Sequence, residues 1–490
     1  MNPTLRSDGS LGVKRTEYAI KSFRGFDALS PERALPLSVC TYGYNVTVGD
    51  GRVVGGVGIS DAKIDGNLLP NAITVGSRMV KAAVFVKDDR KILVALMQNR
   101  RLYYADFSDE AFTYAGVEFG DRRVTFLPYH YDNKDCLLIV GADGQMLVYD
   151  GETFESVPDA PRLNTACVYN ERVYGIVTDG VNRLYFSDDL DPTNWHVSLT
   201  EGGYVDFVDA GGKVTGVIPF GGSLYVFREY AVHRLSAYID QSDYVMTKVY
   251  SGHDRIYFDT AQVVFDQLIF LTDSGFLSVH SGGIKRLFEG VNPLIEGREN
   301  AISGSYGYKY MLSFGMVKDN YVVGDENYGD PKNNAVFIYD FATGKETILR
   351  GADVGQFLPV ALEDGYKLLV LFGSIYRGFH VGEIDQSGRI FGTPIKKLWR
   401  SPYTDLNVAD SDKVIRKAYV TVTKPIYLKV KGDRQITFGL GGTPYSQIVP
   451  VRRKGHKIGL EVSTEQDSFV LTDVTLEVDF VRRSVGALIK

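Results

Sequence analysis

One local pattern returns along most of the 490-residue chain, and it constrains the fold more than any other feature. A lead residue is followed by Leu, Phe or Ile, then an aromatic or apolar strand, then a turn. It appears as Arg101-Leu102-Tyr103-Tyr104, Met146-Leu147-Val148-Tyr149, Arg183-Leu184-Tyr185-Phe186 and Ser223-Leu224-Tyr225-Val226. It continues as Gly275-Phe276-Leu277-Ser278, Val336-Phe337-Ile338-Tyr339 and Ser374-Ile375-Tyr376-Arg377. The Leu, Phe and Ile anchors are 45, 37, 40, 52, 61 and 38 residues apart. A recurrence of about 40–50 residues is the length of one four-stranded blade of a β-propeller. An apolar run precedes most anchors: Ala82–Val86, Cys136–Val140, Val173–Val177, Gln267–Leu271 and Lys367–Phe372. Strand, turn and aromatic strand together make a hairpin, repeated along the chain.

A four-stranded blade cannot bury both of its faces alone. Blades stacked radially bury each other, and closing the circle leaves only short edges. The expected fold is therefore all-β: a β-propeller of six or seven blades over residues 78–392. An extended pair of β-sandwiches is the competing arrangement. Composition agrees with many short strands and tight turns, since the chain has 52 Gly, 31 Tyr and 27 Phe. A long-helix protein would be richer in Ala, Leu, Glu and Lys. With 44% hydrophobic and 23% charged residues, wholesale disorder is excluded.

The ends of the chain read differently. Residues 1–77 are polar and broken by Gly, Pro and Asp, which predicts an irregular N-terminal arm. Within it, Gly49-Asp50-Gly51 separates two short apolar runs and predicts a hairpin. Gly55-Gly56-Val57-Gly58 lacks the Lys-Ser/Thr and the following helix of a phosphate loop. Residues 393–490 alternate with period two in about five runs, including Ala418–Val422, Ile426–Val430 and Val474–Phe480. That predicts a C-terminal β-sandwich suited to docking.

Candidate chemistry is sparse. Ser187, Asp189, Asp191, Thr193 and Trp195 approximate the Asp-box turn of propeller sialidases, with Asp191 where that motif has Gly and Trp195 one residue late. Such a box is a folding device, so these five residues are expected to be structural. Asp189, Asp191 and Thr193 lack the central Gly and final Glu of a calcium loop. The seven histidines show no metal-ligand spacing, and no nucleophile, Walker or zincin motif occurs. The acidic pairs at 188–189, 325–326 and 410–412 sit among turn residues. No catalytic residue, cofactor or metal is expected. Cys40, Cys136 and Cys167 have apolar neighbours and read as buried free thiols. The first eleven residues carry no signal-peptide pattern, and no run reaches the ~18 apolar residues of a membrane span. A formal charge of −6 disfavours a surface that grips nucleic acid.

Three stretches carry a resemblance. They are Phe23-Arg24-Gly25-Phe26-Asp27 with Asn45 and Gly51–Gly58; Asn170–Tyr174 leading to Asn182–Asp188 and Asp191-Pro192-Thr193-Asn194-Trp195; and Val217–Phe220, Leu224–Phe227 and Ala231–Leu235. Trp399-Arg400-Ser401-Pro402 looks like the exit into a last domain. In order and spacing they resemble the tail-nozzle, tail-hub and DNA-stabilisation (head-completion) proteins of short-tailed bacteriophages. The resemblance implies a structural virion protein made in the host cytoplasm. It also implies a homo-oligomeric ring, commonly sixfold, that contacts other tail or head–tail connector proteins. Viral DNA would pass through its lumen without sequence-specific binding. Mild acidity suits such a passage, because a strongly basic lumen would hold the duplex. The alternative is a glycan-binding or glycan-cleaving propeller, an adhesin or a sialidase-like enzyme.

Overall fold

The apolar runs become the second strands of successive antiparallel sheets, as seen in a computed structural model. The structure describes residues 14–64, 66–68, 79–177, 181–198, 201–236, 243–281, 283–316, 333–362, 365–374 and 378–482. Among them the fold is all-β. Short 3-10 stretches occur among the described residues at Glu32–Ala34, Asn292–Leu294 and Arg298–Asn300. No helix of the described residues is long and apolar enough to cross a membrane.

Seven sheets follow one another. Their first strands are Met79–Lys87, Val124–Tyr131, Leu163–Tyr169, Val214–Phe220, Ile256–Val264, Ile302–Tyr306 and Val354–Leu362. Each first strand touches the first strand of the next sheet, and Val354–Leu362 returns to touch Met79–Lys87, so the order closes on itself. The sixth sheet runs on through Lys309–Met316, Ala335–Asp340 and Lys345–Arg350. The seventh runs on through Gly365–Ser374 and Gly378–Asp385. Its outer strand comes from the opposite end of the chain: Gly58–Asp61 pairs antiparallel with Gly378–Asp385. Register shifts near the start of the first strands at Met79/Lys81, Leu163/Thr165, Val214/Gly216 and Val354/Gln356 add local twist.

Apolar clusters fill the gaps between sheets, and the one between the fifth and sixth, with Ile269, Phe276, Tyr310 and Leu312, is continuous with the core of the C-terminal strands. Phe85, Leu96 and Leu102 meet Leu137 and Ile139 between the first and second. Leu358, Val360 and Leu369 meet Ala82, Leu93 and Ala95 between the seventh and first. A second strand therefore has a packed layer on both faces. Ile92 to Met97 and Leu137 to Val140 are all buried, which is why these runs are continuously apolar rather than alternating.

The sixth sheet does not end at its fourth strand. It continues through Val46–Gly49 and Arg52–Gly55 to Phe469–Arg482, Ser411–Val422 and Thr443–Gly455. A five-stranded sheet lies against this extension: Tyr42–Tyr44, Lys397–Arg400, Gly459–Thr464, Ile426–Lys431 and Ile436–Leu440. The two share a core with Trp399, Val420, Leu428, Val462 and Leu476. Much of the expected N-terminal arm is strand, distributed over this framework. Lys14–Ile20 pairs with Phe469–Arg482, Tyr42–Tyr44 with Lys397–Arg400, and Val46–Gly49 with Lys345–Arg350. The predicted hairpin forms, with Gly49 opposite Arg52 around Asp50-Gly51.

Candidate functional site

The turns after the first strands form one rim, and tyrosines tie neighbouring turns together. Tyr129 Oη donates to the Glu171 carbonyl at 2.5 Å, and Tyr169 Oη to the Gly222 carbonyl at 2.9 Å. Tyr306 Oη donates to the Tyr366 carbonyl at 2.5 Å. Each tyrosine stands at or near the end of a first strand and reaches the hairpin of the next sheet. Burial, with Glu171 nearby, pushes the Tyr129 phenol up to about 12, so it stays a donor at neutral pH. On the fifth and sixth sheets the rim turns carry exposed rings. Phe265 and Tyr308 lie 5.5 Å apart, and Phe265 sits at φ 56°, an uncommon conformation for a bulky side chain. Tyr366 continues the series on the seventh sheet and is 69% exposed.

Tyr366, but not Phe265 or Tyr308, lines a groove of about 550 Å³ between the sixth and seventh sheets. That volume lies within the range of ~300–1,000 Å³ common to ligand pockets. Tyr306 and Tyr366 edge it, Met311, Ile338 and Leu368 form apolar walls, and Thr47 and Gln386 add neutral polar groups. Its charges are partly neutralised in place. Lys345 Nζ lies 3.4 Å from Asp50, and Lys367 Nζ 3.5 Å from Glu383. The Asp340 carboxylate accepts from the backbone N–H groups of Ala342 and Thr343. Arg52 and Lys309 line the same groove without an ion pair to any described residue. Nothing in the sequence flagged this groove. Its walls come from positions some 300 residues apart, so no local motif could mark it.

The Asp-box-like turn lies between the third strand, Arg183–Phe186, and the fourth, Gly203–Asp206, of the third sheet. Ser187 Oγ accepts from the Val173 N–H at 3.0 Å. Asp191 Oδ1 accepts from the Thr193 N–H at 2.9 Å and its hydroxyl at 2.6 Å. Trp195 packs into the cluster between the second and third sheets. Asp189 contributes its backbone N–H, which donates to Asp188. The second carboxylate that bonds within the turn is Asp188, which accepts from Asn194 Nδ2 at 3.2 Å. Buried Arg172 braces the turn from below, donating to the carbonyls of Ser187 and Glu201. The turn is held by side-chain-to-backbone and side-chain-to-side-chain bonds, with Trp195 packed by its ring alone.

The other stretches behind the resemblance are joints as well. Phe23 meets the fully buried Trp399 edge-on at 5.2 Å. A Cβ on Gly25 would stand 2.5 Å from Glu346 Oε2, the atom that accepts from the Phe26 N–H. Asn45 Nδ2 donates to the Lys396 carbonyl, while its Oδ1 accepts from the Arg350 N–H. Arg183 forms a two-pronged pair with Asp206, at 2.5 and 2.9 Å, and lies 3.7 Å over the Tyr204 ring. Asn182 Oδ1 accepts from the Val214 N–H, joining the third sheet to the fourth. His233, expected only as a strand residue, sits beside Asp209 with Arg228 and Lys248. Burial, then the charges of Arg228 and Lys248, hold it down at about 4.

Cys40, Cys136 and Cys167 are buried and free, and burial pushes the Cys136 thiol up to about 11. Among the described residues no group of three or more His, Cys, Asp or Glu could hold a metal. The acidic pair at 325–326 and the anchor residues 375–377 lie outside the described residues.

No family model matches the chain, and no curated protein matches it. Solved structures give distant likenesses. PorZ of the type-IX secretion system of Porphyromonas gingivalis is 15% identical, with a TM-score of 0.36 over 78% of this chain. The likeness spans about half (48%) of the PorZ chain. BBS1N, from its complex with ARL6DN, is 10% identical over 68% of this chain and 98% of its own, with a TM-score of 0.41. The AfRom2 CNH domain is 8% identical over 67% of this chain and 98% of its own, also with a TM-score of 0.41.

Proposed function

We propose that this chain is a non-catalytic structural protein of a bacteriophage tail, a nozzle, hub or head-to-tail completion component. In this reading the closed series of sheets is a seven-bladed β-propeller over residues 78–392. Residues 393–490 are a β-sandwich, and residues 1–77 fasten the two. The propeller reading rests on the cyclic contacts of the first strands and the apolar clusters in the gaps.

The observation that carries the functional reading is the role of the residues behind the resemblance. Phe23, Gly25, Asn45, Asn182, Arg183 and Trp399 all make joints between strands or sheets. Residues that serve as joints describe a rigid building block, whose loops can differ on each face for different neighbours. Copies would associate into a ring, commonly sixfold in the family resembled, with other tail proteins above and below. DNA would pass through without base readout. Electron microscopy of the purified chain tests this: rings with an axial channel are expected, and a monodisperse monomer that cleaves glycans would overturn it.

A second reading, a glycan-binding propeller, is favoured by one feature, the tyrosine-edged groove on a rim that carries exposed rings. Sugar rings stack on such faces while polar groups fix their hydroxyls. A glycan array with the intact chain tests it, and a blank array would contradict it.

A further inference from the structure

We infer that the groove between the sixth and seventh sheets binds an extended anionic polysaccharide, with the rim aromatics as stacking platforms and Arg52 and Lys309 pairing its carboxylates or sulfates. The inference rests on the second reading above and adds the ligand's charge and extension.

Extension comes from the row of rings. Phe265 and Tyr308 stand on the turns of the fifth and sixth sheets and Tyr366 at the start of the second strand of the seventh, at 69%, 54% and 69% exposure. Phe265 and Tyr308 are in ring contact at 5.5 Å, and Tyr306 links its own turn to that of Tyr366. A compact ligand would need one platform, whereas a row serves a chain of sugar units. Phe265 is held at φ 56°, a left-handed conformation that is uncommon for a bulky side chain. A ring both strained and exposed contributes little to the core, so its use lies outside the fold.

Charge comes from the side chains that line the groove. The groove's acids are already engaged: Asp50 with Lys345, Glu383 with Lys367, and Asp340 with backbone N–H groups. Four cations, Arg52, Lys309, Lys345 and Lys367, line the groove against three carboxylates, Asp50, Asp340 and Glu383, so its net charge is positive in a chain whose formal charge is −6. Arg52 and Lys309 have no ion pair to a described residue, with Lys309 opposite Asp340 across the strand pair. An acidic peptide would meet the charge but leave the row of rings without a periodic partner.

The test is calorimetric titration of the full chain with hexagalacturonate, an oligosialic acid and a chondroitin sulfate oligosaccharide. Methyl-esterified hexagalacturonate and hexaglutamate serve as controls. Binding of at least one anionic sugar is expected, weakened about tenfold or more by Tyr366→Ala and by the double change Arg52→Ala with Lys309→Ala. Phe265→Asn, which suits the backbone conformation, should weaken binding while the fold stays intact. For a sialic or sulfated ligand, a neutralised form replaces the ester control. Equal binding of the neutral form would overturn the charge assignment and leave the glycan reading standing. Failure of all sugars would overturn both. Hexaglutamate binding as tightly would make the groove an acidic-peptide site, and variants that bind like the parent would move the ligand elsewhere.

Discussion

Glu461 is nearly buried in the five-stranded sheet among three cations, with Lys429 Nζ at 2.8 Å, Lys431 Nζ at 3.0 Å and Arg400 Nε at 3.1 Å. Burial opposes its ionisation, but hydrogen bonds from both lysines and the charges of Lys431 and Arg400 win, holding it down at about 2. A depressed carboxyl contributes stability that is present above the unfolded value, near 4.5, and lost as pH falls toward about 2. Denaturant titrations at pH 7 and pH 3 should therefore show a loss in the parent, at most about 2 kcal/mol of it from this group, since pH 3 is still above the folded value. Glu461→Gln should be less stable at pH 7 and lose less on acidification; an unchanged pH slope would contradict the pairing. Phe265→Gly should stabilise the chain by about 1 kcal/mol by relieving the left-handed backbone. Gly25→Ala should destabilise it, because the new Cβ meets Glu346 and displaces the acceptor of the Phe26 N–H. Residue identities were legible where chemistry is local. The Asp-box pattern marked a real hydrogen-bonded turn through Ser187, Asp191 and Thr193. It pointed to Asp189 where the bonding carboxylate is the neighbouring Asp188, since a one-residue choice depends on how the turn closes. Glu346 as the partner of Gly25 was not legible, because 320 residues separate it from Phe26.

Strands were legible by their apolar runs, and their order within a sheet was not. Most aromatic anchors fall on third strands, as Leu102, Leu147, Leu184, Phe276 and Phe337 do. Leu224 falls on a second strand, Ser223–Arg228, and the third strand of that sheet is Ala231–Ser236. A second strand buried on both faces can carry the same Leu-Tyr-apolar text, which accounts for the short interval before Leu224 and the long one after it, but not for the 61 residues between Phe276 and Phe337, both on third strands. The N-terminal strands were missed except for the hairpin. Two- to seven-residue strands with partners at the far end of the chain leave no periodic signal. Second-strand positions should be the costliest to truncate. Leu138→Ala, fully buried between two sheets, should cost about 2–5 kcal/mol by denaturation. Tyr169→Phe removes one rim bond and should cost only about 0.5–1.5 kcal/mol. Ile59→Ala tests the closing strand, where Ile59 is fully buried. Amide exchange should quicken first at 58–61 and 382–385, ahead of the second to fourth sheets. Uniform quickening would mean that the strand is not a local clasp.

At the scale of the molecule, two β units share strands rather than touch through a linker. The sixth sheet passes without interruption into strands from residues 411–482, and residues 14–61 pair with both parts. Hinge motion between them would break backbone hydrogen bonds, so the chain should move as one body. Scattering profiles should fit a single rigid shape at both low and high salt. That stiffness suits a block in an assembly, which is the central claim. The all-β class and the recurrence of about 45 residues were legible from the sequence. The sharing of strands was not, because pairing between chain ends follows from closure of the whole and not from any segment. The most direct test is electron microscopy of the purified full-length chain at micromolar concentration. The account predicts rings of several copies around an open axis, stable without added ligand. Single particles that never associate, together with turnover of a glycan substrate, would contradict it.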